Sequence, residues 1–425
     1  MRPRYRVLYG LAAYLLIPVI IVAMLARGWR DRGYWRNFSQ RFGFGRALDG
    51  ASIWVHAVSV GEVQAAAALV LDLSARYPQI PLVLTTATPS GAQRAQALFG
   101  ELVEIRFIPF DLPGSARRFF TRVKPRLAVI FETELWPNLY HECRVRRVPL
   151  VLASARISPR SVRRYRRAFG LFEETLSQGV VIAAQAPGDA QRFRSIGAPA
   201  SHTHVTGNIK FDFTVPDEVV PRGRELRQFH AAARPVWVAG STHAGEEAIL
   251  LDAQRRLRSL HKNALLILVP RHPPRFLEVA QWLTRAEVAF VKVSEHRACE
   301  ADTSVLLVDS LGALLDFYAA GDVTFVGGSL VAVGGHNLLE PAALGLPILT
   351  GPHYSNSEDI AKLLIARGAL EVVHDAAQLA QRLAVLLSDP KERERIGQCA
   401  RNSIADNRGA LKKLLRLIDP VLKGA

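Results

Sequence analysis

Short unbroken runs of aliphatic residues recur along this chain, each followed by a longer stretch of helical periodicity. No other feature narrows the choice of folds so far. The first half has such runs at Ile53–Val58, Leu82–Thr86, Leu127–Phe131, Pro149–Ala153 and Val180–Ala184, with helical stretches such as Glu62–Arg76 and Ser115–Val123 between them. A strand with one wet face alternates apolar and polar residues. These runs do not alternate, so they read as strands buried on both faces, in a parallel sheet covered by helices. Such a sequence makes a doubly wound α/β domain. The stretch Asp212–Arg234 is rich in Pro and charge and weak in periodicity, and it reads as a linker. The pattern then restarts with Val236–Ala239, Leu265–Val269, Val288–Val293, Val305–Val308, Val323–Val326 and Pro347–Leu349, and with helical stretches Glu246–Leu260, Leu311–Ala320 and Ser357–Arg367. The expected division is therefore an amino-terminal segment 1–46, a first domain 47–215, a linker 216–234 and a second domain 235–425, with the last helix free to return to the first domain. Ligands of open α/β sheets sit beyond the carboxyl ends of the strands, so a cleft between two such domains is expected to hold the chemistry.

The amino-terminal segment follows a different rule. Val7–Ala26 carries no charge over 20 residues, which as a helix is roughly 30 Å, one hydrocarbon thickness. Arg2, Arg4 and Arg6 precede it. Arg27, Arg30, Arg32 and Arg36 follow, together with Trp29, Tyr34 and Trp35, a composition suited to a headgroup layer. A secretory signal would need a small-residue cleavage site and a neutral mature start, and neither is present. The segment reads as a membrane anchor. Pro18 would kink it, which leaves a helix lying in the membrane plane as the alternative to one that spans. Counting Arg41 and Arg46, the heavier positive side is the carboxyl-terminal one, and this places the bulk of the chain in the cytoplasm.

The net charge is +16, from 54 Lys and Arg against 38 Asp and Glu. That excess favours an anionic partner: nucleic acid, anionic lipid or a phosphorylated substrate. Cys143, Cys299 and Cys399 are scattered and form neither a disulfide framework nor a metal-ligand spacing. The histidines likewise lack metal spacing, so no metal and no cofactor are expected.

Several strand-to-helix loops carry candidate chemistry. In His56-Ala57-Val58-Ser59-Val60-Gly61-Glu62, Gly61 permits a tight turn and Glu62 falls in the first helical turn, either as a carboxylate placed against the helix dipole or as a general base. Glu132 and Glu134 follow another strand, beside Trp136 and Pro137. Arg156, Arg160, Arg163, Arg164, Arg166 and Arg167 occur with no acid among them. Guanidinium groups in such a run suit phosphate. With only Tyr165 interleaved and no recognised motif, nucleic acid is not the expected partner. In the second half, Gly240-Ser241-Thr242-His243 and Pro270-Arg271-His272 end strands and read as an anion site. The Gly-rich stretch from Gly327 to Pro341 includes Gly334, Gly335, His336, Asn337 and Glu340, with a helix starting near Asn337. Neither a dinucleotide fingerprint nor a phosphate-loop motif is present.

Taken in order, SVGE (59–62), ETELWPN (132–138), SARIS (154–158), TGNIKFD (206–212), STHAGEE (241–247), PRHPPRF (270–276) and GGSLVAVGGHNLLEPAALGLPILTGP (327–352) resemble the transferases of 3-deoxy-D-manno-octulosonic acid (Kdo) of lipopolysaccharide biosynthesis. The resemblance covers nearly the whole chain and includes the amino-terminal anchor. It implies a GT-B fold of two Rossmann-like domains, CMP-Kdo as donor, and a lipid A precursor as acceptor, met at the cytoplasmic face of an inner membrane. It implies Glu62 as catalytic base. It further implies donor contacts at Arg271, His272, Leu311, Gly312, Ala313, Asn337, Leu338, Leu339 and Glu340, to which the loop reading adds Ser241, Thr242, Gly334 and Gly335. On the acceptor side it points to Ser59, Gly61, Glu132, Glu134, Arg156, Arg163, Arg164, Arg166 and Arg167. Some members carry an acid where Ala313 stands here. The expected reaction is an inverting displacement. Two other readings stay open at this point: a nucleotide-sugar epimerase of the same fold, and a non-catalytic, membrane-tethered binding protein.

Overall fold

A computed structural model describes residues 4–423 apart from Gln178; Arg2 lies outside the described residues. The chain forms two compact units, one of residues 1–212 with 407–425 and one of residues 213–406.

The first unit opens with a long helix, α1 (Arg4–Arg30). Seven parallel strands follow: β1 (Ser52–His56), β2 (Leu82–Thr86), β3 (Val103–Phe107), β4 (Pro125–Phe131), β5 (Leu150–Ala155), β6 (Val181–Ala184) and β7 (Thr203–Val205). Their order is β3-β2-β1-β4-β5-β6-β7. Between them run α2 (Val60–Arg76), α3 (Pro89–Phe99), α4 (Pro113–Val123), α5 (Pro137–Val145), α6 (Pro159–Arg167), α7 (Phe169–Leu176) and α8 (Pro187–Arg194). Side chains on a strand alternate between faces. Trp54 of β1 therefore joins Phe119, Phe120 and Ile130 on one side of the sheet, while Ile53 and Val55 join Leu69, Leu73 and Val129 on the other. Buried apolar side chains cover both faces of the strand, and this is the origin of the unbroken aliphatic runs. The buried Trp54 indole donates to the Thr85 hydroxyl at 2.8 Å, which removes the penalty for its one polar atom.

The second unit repeats the plan with α9 (Val219–His230), β8 (Val236–Thr242), α10 (Glu246–Leu260), β9 (Leu265–Pro270), α11 (Pro273–Arg285), β10 (Phe290–Lys292), β11 (Val305–Leu307), α12 (Leu314–Ala320), β12 (Val323–Val326), α13 (Leu339–Leu344), β13 (Ile348–Thr350), α14 (Glu358–Ala366), β14 (Leu370–Val372), α15 (Ala376–Ser388) and α16 (Pro390–Ala405). The sheet order is β10-β11-β9-β8-β12-β13-β14, all parallel. Trp237 takes the place of Trp54, its indole bonded to the Gln254 side chain at 2.7 Å.

One boundary differs from the sequence expectation. The stretch read as a linker contains α9, which packs on the second unit. Gly223 lies so close to Ala319 of α12 that a Cβ would be 2.5 Å from it, and Arg227 bonds the Ala320 carbonyl at 2.8 Å and Asp322 at 3.0 Å. These tertiary contacts hold a helix whose own periodicity is weak. The helix after Asp406, α17 (Ala410–Lys423), belongs to the first unit, the return that the sequence left open. Its Leu414, Leu415, Ile418 and Leu422 join the core formed by α2 and the strands. The Asp212 carboxylate accepts the backbone N–H groups of Gly409 and Leu411 at 2.5 and 2.6 Å and so caps the start of α17 from outside it. Replacing Asp212 by Ala removes this cap and is expected to cost about 1 kcal/mol. Hydrogen exchange should show the loss as faster exchange in the first turn of α17, with the amides of β1 and β4 unaffected.

Candidate functional site

A sheet order that runs outward both ways from its first strand creates a switch point beside that strand, where the loops to either side diverge and leave a crevice. In the first unit this falls between β1 and β4. The loop after β1 carries Glu62 and the loop after β4 carries Glu132 and Glu134.

Glu62 is in the first turn of α2. Ser59 stands at the cap position but makes no side-chain cap bond. The Glu62 carboxylate instead reaches back past the cap to accept the Val58 N–H at 2.9 Å. Burial pushes the Glu62 carboxyl up to about 7. The Val58 N–H opposes that shift, Glu132 and Glu134 add to it, and Lys210 pulls the other way. Glu132 stands in the left-handed region (φ 58°). Burial would raise its carboxyl, but Lys210 (Nζ–Oε1 3.0 Å) and Arg156 (Nε–Oε2 3.0 Å) outweigh that and hold it below the ordinary value. Glu134 is raised, by burial first and then by Glu132, against a hydrogen bond from Trp136. Lys210 was not singled out from sequence, although it lies in the TGNIKFD motif. Ser154, also at positive φ (47°), accepts the Ile209 N–H at 3.1 Å and fixes the segment that delivers Lys210. Strain of this kind, in the turn after β4 and at the irregular end of β5, is a mark of functional positions. The structure thus brings Glu62, Glu132, Glu134, Arg156 and Lys210 into one cluster.

The other arginines of the basic run are elsewhere. Arg163, Arg164, Arg166 and Arg167 are exposed on α6. They make no ion pair with a described residue. Arg163 and Arg166 line an open groove of about 520 Å³ between α6 and α8, with Gly188 and Arg192 opposite; Arg164 and Arg167 do not line it.

In the second unit the switch point lies between β8 and β12. Glu246 begins α10, is fully buried, and accepts four backbone N–H groups: His243 at 2.9 Å, Gly328 at 2.7 Å, Ser329 at 2.9 Å and Leu330 at 2.9 Å. This corrects part of the anion-site expectation. The N–H groups at the start of the Gly-rich stretch are taken by an internal carboxylate. Thr242 is also closed off: it has no exposed surface and its hydroxyl points at Glu247, 3.4 Å away. Ser241 is nearly buried at the end of β8. The helix expected near Asn337 begins at Leu339 and is six residues long, and the Asn337 side chain accepts the Leu339 N–H at 3.0 Å. Its dipole is correspondingly small. Glu340 does lie in its first turn. Leu338 and Leu339 are buried and Gly334 and Gly335 are turn residues with positive φ, so these positions shape the loop. Leu311, Gly312 and Ala313 form a turn before α12, with Leu311 and Gly312 exposed.

What faces outward at the strand ends is a group of three imidazoles beside a guanidinium. The Nε2 atoms of His243 and His336 are 2.8 Å apart, with the rings stacked 5.0 Å centroid to centroid, and His272 meets His243 edge-on at 5.4 Å. Two ring nitrogens at that distance share one proton, one ring donating and the other accepting. Burial, then Arg271, His243 and His272, push the His336 ring down to about 4. Arg271 is exposed and makes no ion pair with a described residue, whereas Arg275 is held by Glu247 at 3.0 Å. His243 and His336 were not expected as site residues. Their partnership joins loops 93 residues apart.

Two doubly wound units of this topology define the class of GT-B glycosyltransferases and their fold relatives. Among solved structures, UDP-GlcNAc 2-epimerase from Neisseria meningitidis covers 88% of this chain and 100% of its own at a TM-score of 0.57, with 14% identity. MurG from Acinetobacter baumannii covers 87% and 100% at 0.54, again with 14% identity. Likeness at that identity speaks for the fold alone. Residues 36–213 match the family described as 3-deoxy-D-manno-octulosonic-acid transferase (kdotransferase), and residues 249–403 match glycosyl transferases group 1. The 3-deoxy-D-manno-octulosonic acid transferase of Haemophilus influenzae is 39% identical over 99% of both chains, and that of Bordetella pertussis is 37% identical over 97% of this chain and 99% of its own. The chain belongs to the Kdo transferase family.

One prediction tests the division between structural and chemical carboxylates. Glu246→Ala strands up to four N–H groups in a buried place and is expected to destabilise the second unit by roughly 3–5 kcal/mol. Urea unfolding should show the loss in the transition of that unit, with the fluorescence of Trp237 as its reporter.

Proposed function

We propose that this enzyme moves Kdo from CMP-Kdo to a primary hydroxyl of a lipid A precursor at a membrane surface, by a single inverting displacement in which Glu62 is the general base. The observation that carries this reading is the state of the Glu62 carboxylate: half-buried, tethered by one N–H, raised to about 7 and flanked by a charge-paired Glu132. A base poised near neutrality can accept a proton from an alcohol as the alcohol attacks. The acceptor oxygen forms its bond to the anomeric carbon of Kdo, its proton passes to Glu62, and the bond from that carbon to the cytidylate phosphate breaks. Cytidine monophosphate leaves.

The second unit supplies the groups that hold an anionic donor. Arg271 pairs with the phosphate or with the Kdo carboxylate. The His243–His336 pair and His272 offer N–H donors without full positive charge, since burial keeps His336 neutral at physiological pH. Asn337 in the adjoining loop and Glu340 in the first turn of α13 are suited to sugar hydroxyls. The relatives named Kdo transferases support this donor. On the acceptor side, the exposed arginines of α6 meet phosphates of the lipid headgroup, and Arg156 keeps Glu132 ionised and in place.

The active form of a base is the deprotonated one. Because burial raises Glu62 to about 7, kcat/KM for transfer should climb with pH below neutrality, reach half its plateau near 7 and level off above. Glu62→Gln should lower the plateau about 10²–10⁴-fold in a protein with unchanged Tm; unchanged turnover would remove Glu62 as base. In Glu132→Gln a like charge near Glu62 disappears and Lys210 is released, and both changes favour the ionised form. The half-point of the profile should therefore move to lower pH.

Arg163→Gln with Arg166→Gln should raise KM for the acceptor and leave KM for CMP-Kdo unchanged, measured with radiolabelled donor.

A further inference from the structure

Helix α1 is long and apolar enough to cross a membrane, over Tyr5–Trp29. Its surroundings point to a different use. Gly10, Ala13, Ile17, Ile20, Met24 and Gly28 are buried or half-buried, and they recur every three or four residues from one end of the helix to the other. That spacing is one face of a helix. The opposite face is bare: Leu8, Leu11, Leu15, Val19, Val22 and Trp29 are 58–84% exposed, Leu15 at 81% and Trp29 at 84%.

The covered face rests on the first unit at both ends. Near its start, Arg6 bonds the Asn138 side chain (3.5 Å), Tyr9 bonds the buried Asp111 carboxylate, and the Tyr14 hydroxyl accepts the Gly114 N–H at 3.2 Å. Gly10 passes so close to Pro113 that a Cβ would be 3.2 Å from its ring. Beyond the far end, the chain turns back so that Trp35 covers Gly28 and Gly33 meets Pro89. Pro89, Pro113 and Asn138 lie in the first turns of α3, α4 and α5. In a parallel sheet those turns mark the carboxyl ends of β2, β3 and β4, the rim that also bears Glu62 and Glu132.

We propose that α1 does not cross the bilayer but lies in its interface, with the bare face in the acyl layer and the other face seated on the catalytic rim of the first unit. This rests on the reading that the enzyme works at a membrane. A helix of 27 residues is about 40 Å long. Were it upright in the bilayer with these contacts kept, Asp111 would enter hydrocarbon with it, at a cost of several kcal/mol. A free in-plane helix needs a polar face for water; α1 has none because protein occupies that side. The occupant of the bare face is an anionic bilayer rather than a second protein copy, because the flanks carry headgroup chemistry. Arg27, Arg32, Trp35 and Arg36 are exposed at one end. At the other end Tyr5 packs on Gly170 of α7, and Phe172 of α7 meets Tyr165 of α6 at 4.4 Å, so the arginine-bearing helix continues the same surface. The consequence is that headgroup phosphates and sugar hydroxyls sit level with Glu62.

The test uses the full chain with a peptide tag ahead of Met1, in sealed vesicles of an expressing bacterium whose outer face transfers Kdo from added CMP-Kdo. Flotation first establishes membrane association. A protein that does not float removes the membrane reading itself, and the present inference with it. Protease added outside then reports the geometry. The in-plane helix loses its tag without detergent; a tag protected until detergent is added means a spanning helix and overturns the proposal. In a second arm, Gly10→Cys with Pro113→Cys is oxidised in the membrane. A disulfide absent from either single variant, with transfer retained, is expected. A pair that links in detergent but not in vesicles overturns the proposal.

Discussion

In each unit a carboxylate at the start of the helix after the central strand reaches back to backbone N–H groups, and the number of those groups decides what the carboxylate can do. Glu246 accepts four and is fully buried. Its lone pairs are spent on joining the start of α10 to the loop after β12, and nothing is left for a ligand. Glu62 accepts one. One charge-assisted bond stabilises the ionised form by about 1.5–3 kcal/mol. This does not offset burial reinforced by two neighbouring carboxylates, and the proton affinity rises toward neutrality. The same local device therefore yields a rivet in one unit and a carboxylate poised near neutrality in the other.

The pairing of Glu132 with Lys210 and Arg156 follows from that arrangement. Three carboxylates at one switch point repel each other unless cations are interleaved. Two cations serve Glu132 and keep it ionised, while Glu134, further from them, is raised. Glu62 feels Glu132 and Lys210 with opposite sign, so its proton affinity depends on how firmly Lys210 is held by its neighbour. The positive-φ backbone at Glu132 and Ser154 is the local strain that sets this geometry.

How legible all this was in the sequence depends on sequence separation. The central strands were readable because burial on both faces favours unbroken apolar runs rich in Val, Ile and Leu. The edge strands β3, β7 and β14 escaped notice because an edge tolerates polar residues, as with Glu104 and Arg106 in β3, which pair with each other. Glu62 was readable because its partner, Val58, is four residues away. Lys210 and Glu132 are 78 residues apart, and Glu246 and Ser329 are 83 apart. Nothing local in either segment announces the other. The anion site expected at Gly240–His243 is filled in part from within, because Glu246 takes the His243 N–H together with those of Gly328 and Ser329.

The charge excess of +16 also divides into parts with different physical meaning. The irregular segment between α1 and β1 has little regular backbone bonding of its own, and guanidinium groups supply it. Arg118 bonds the Phe42 carbonyl at 2.9 Å, Arg122 the Gly45 carbonyl at 2.8 Å, Arg106 the Arg46 carbonyl at 2.7 Å, and Arg41 reaches out of the segment to the Ala87 carbonyl at 3.0 Å. Burial lowers the Arg41 guanidinium to about 10, and it still carries its charge at physiological pH. Those charges are anchored to neutral carbonyls, and a lipid phosphate could recruit them only by undoing the segment. The arginines of α6 have no such commitment. Their excess charge is unneutralised by nearby acids and open to solvent, so it costs little to bring to an anionic surface and gains from doing so. The count of basic residues thus overstates the field available to a ligand. The field open to one comes from exposed arginines such as those on α6 and at the far end of α1, and from Arg271.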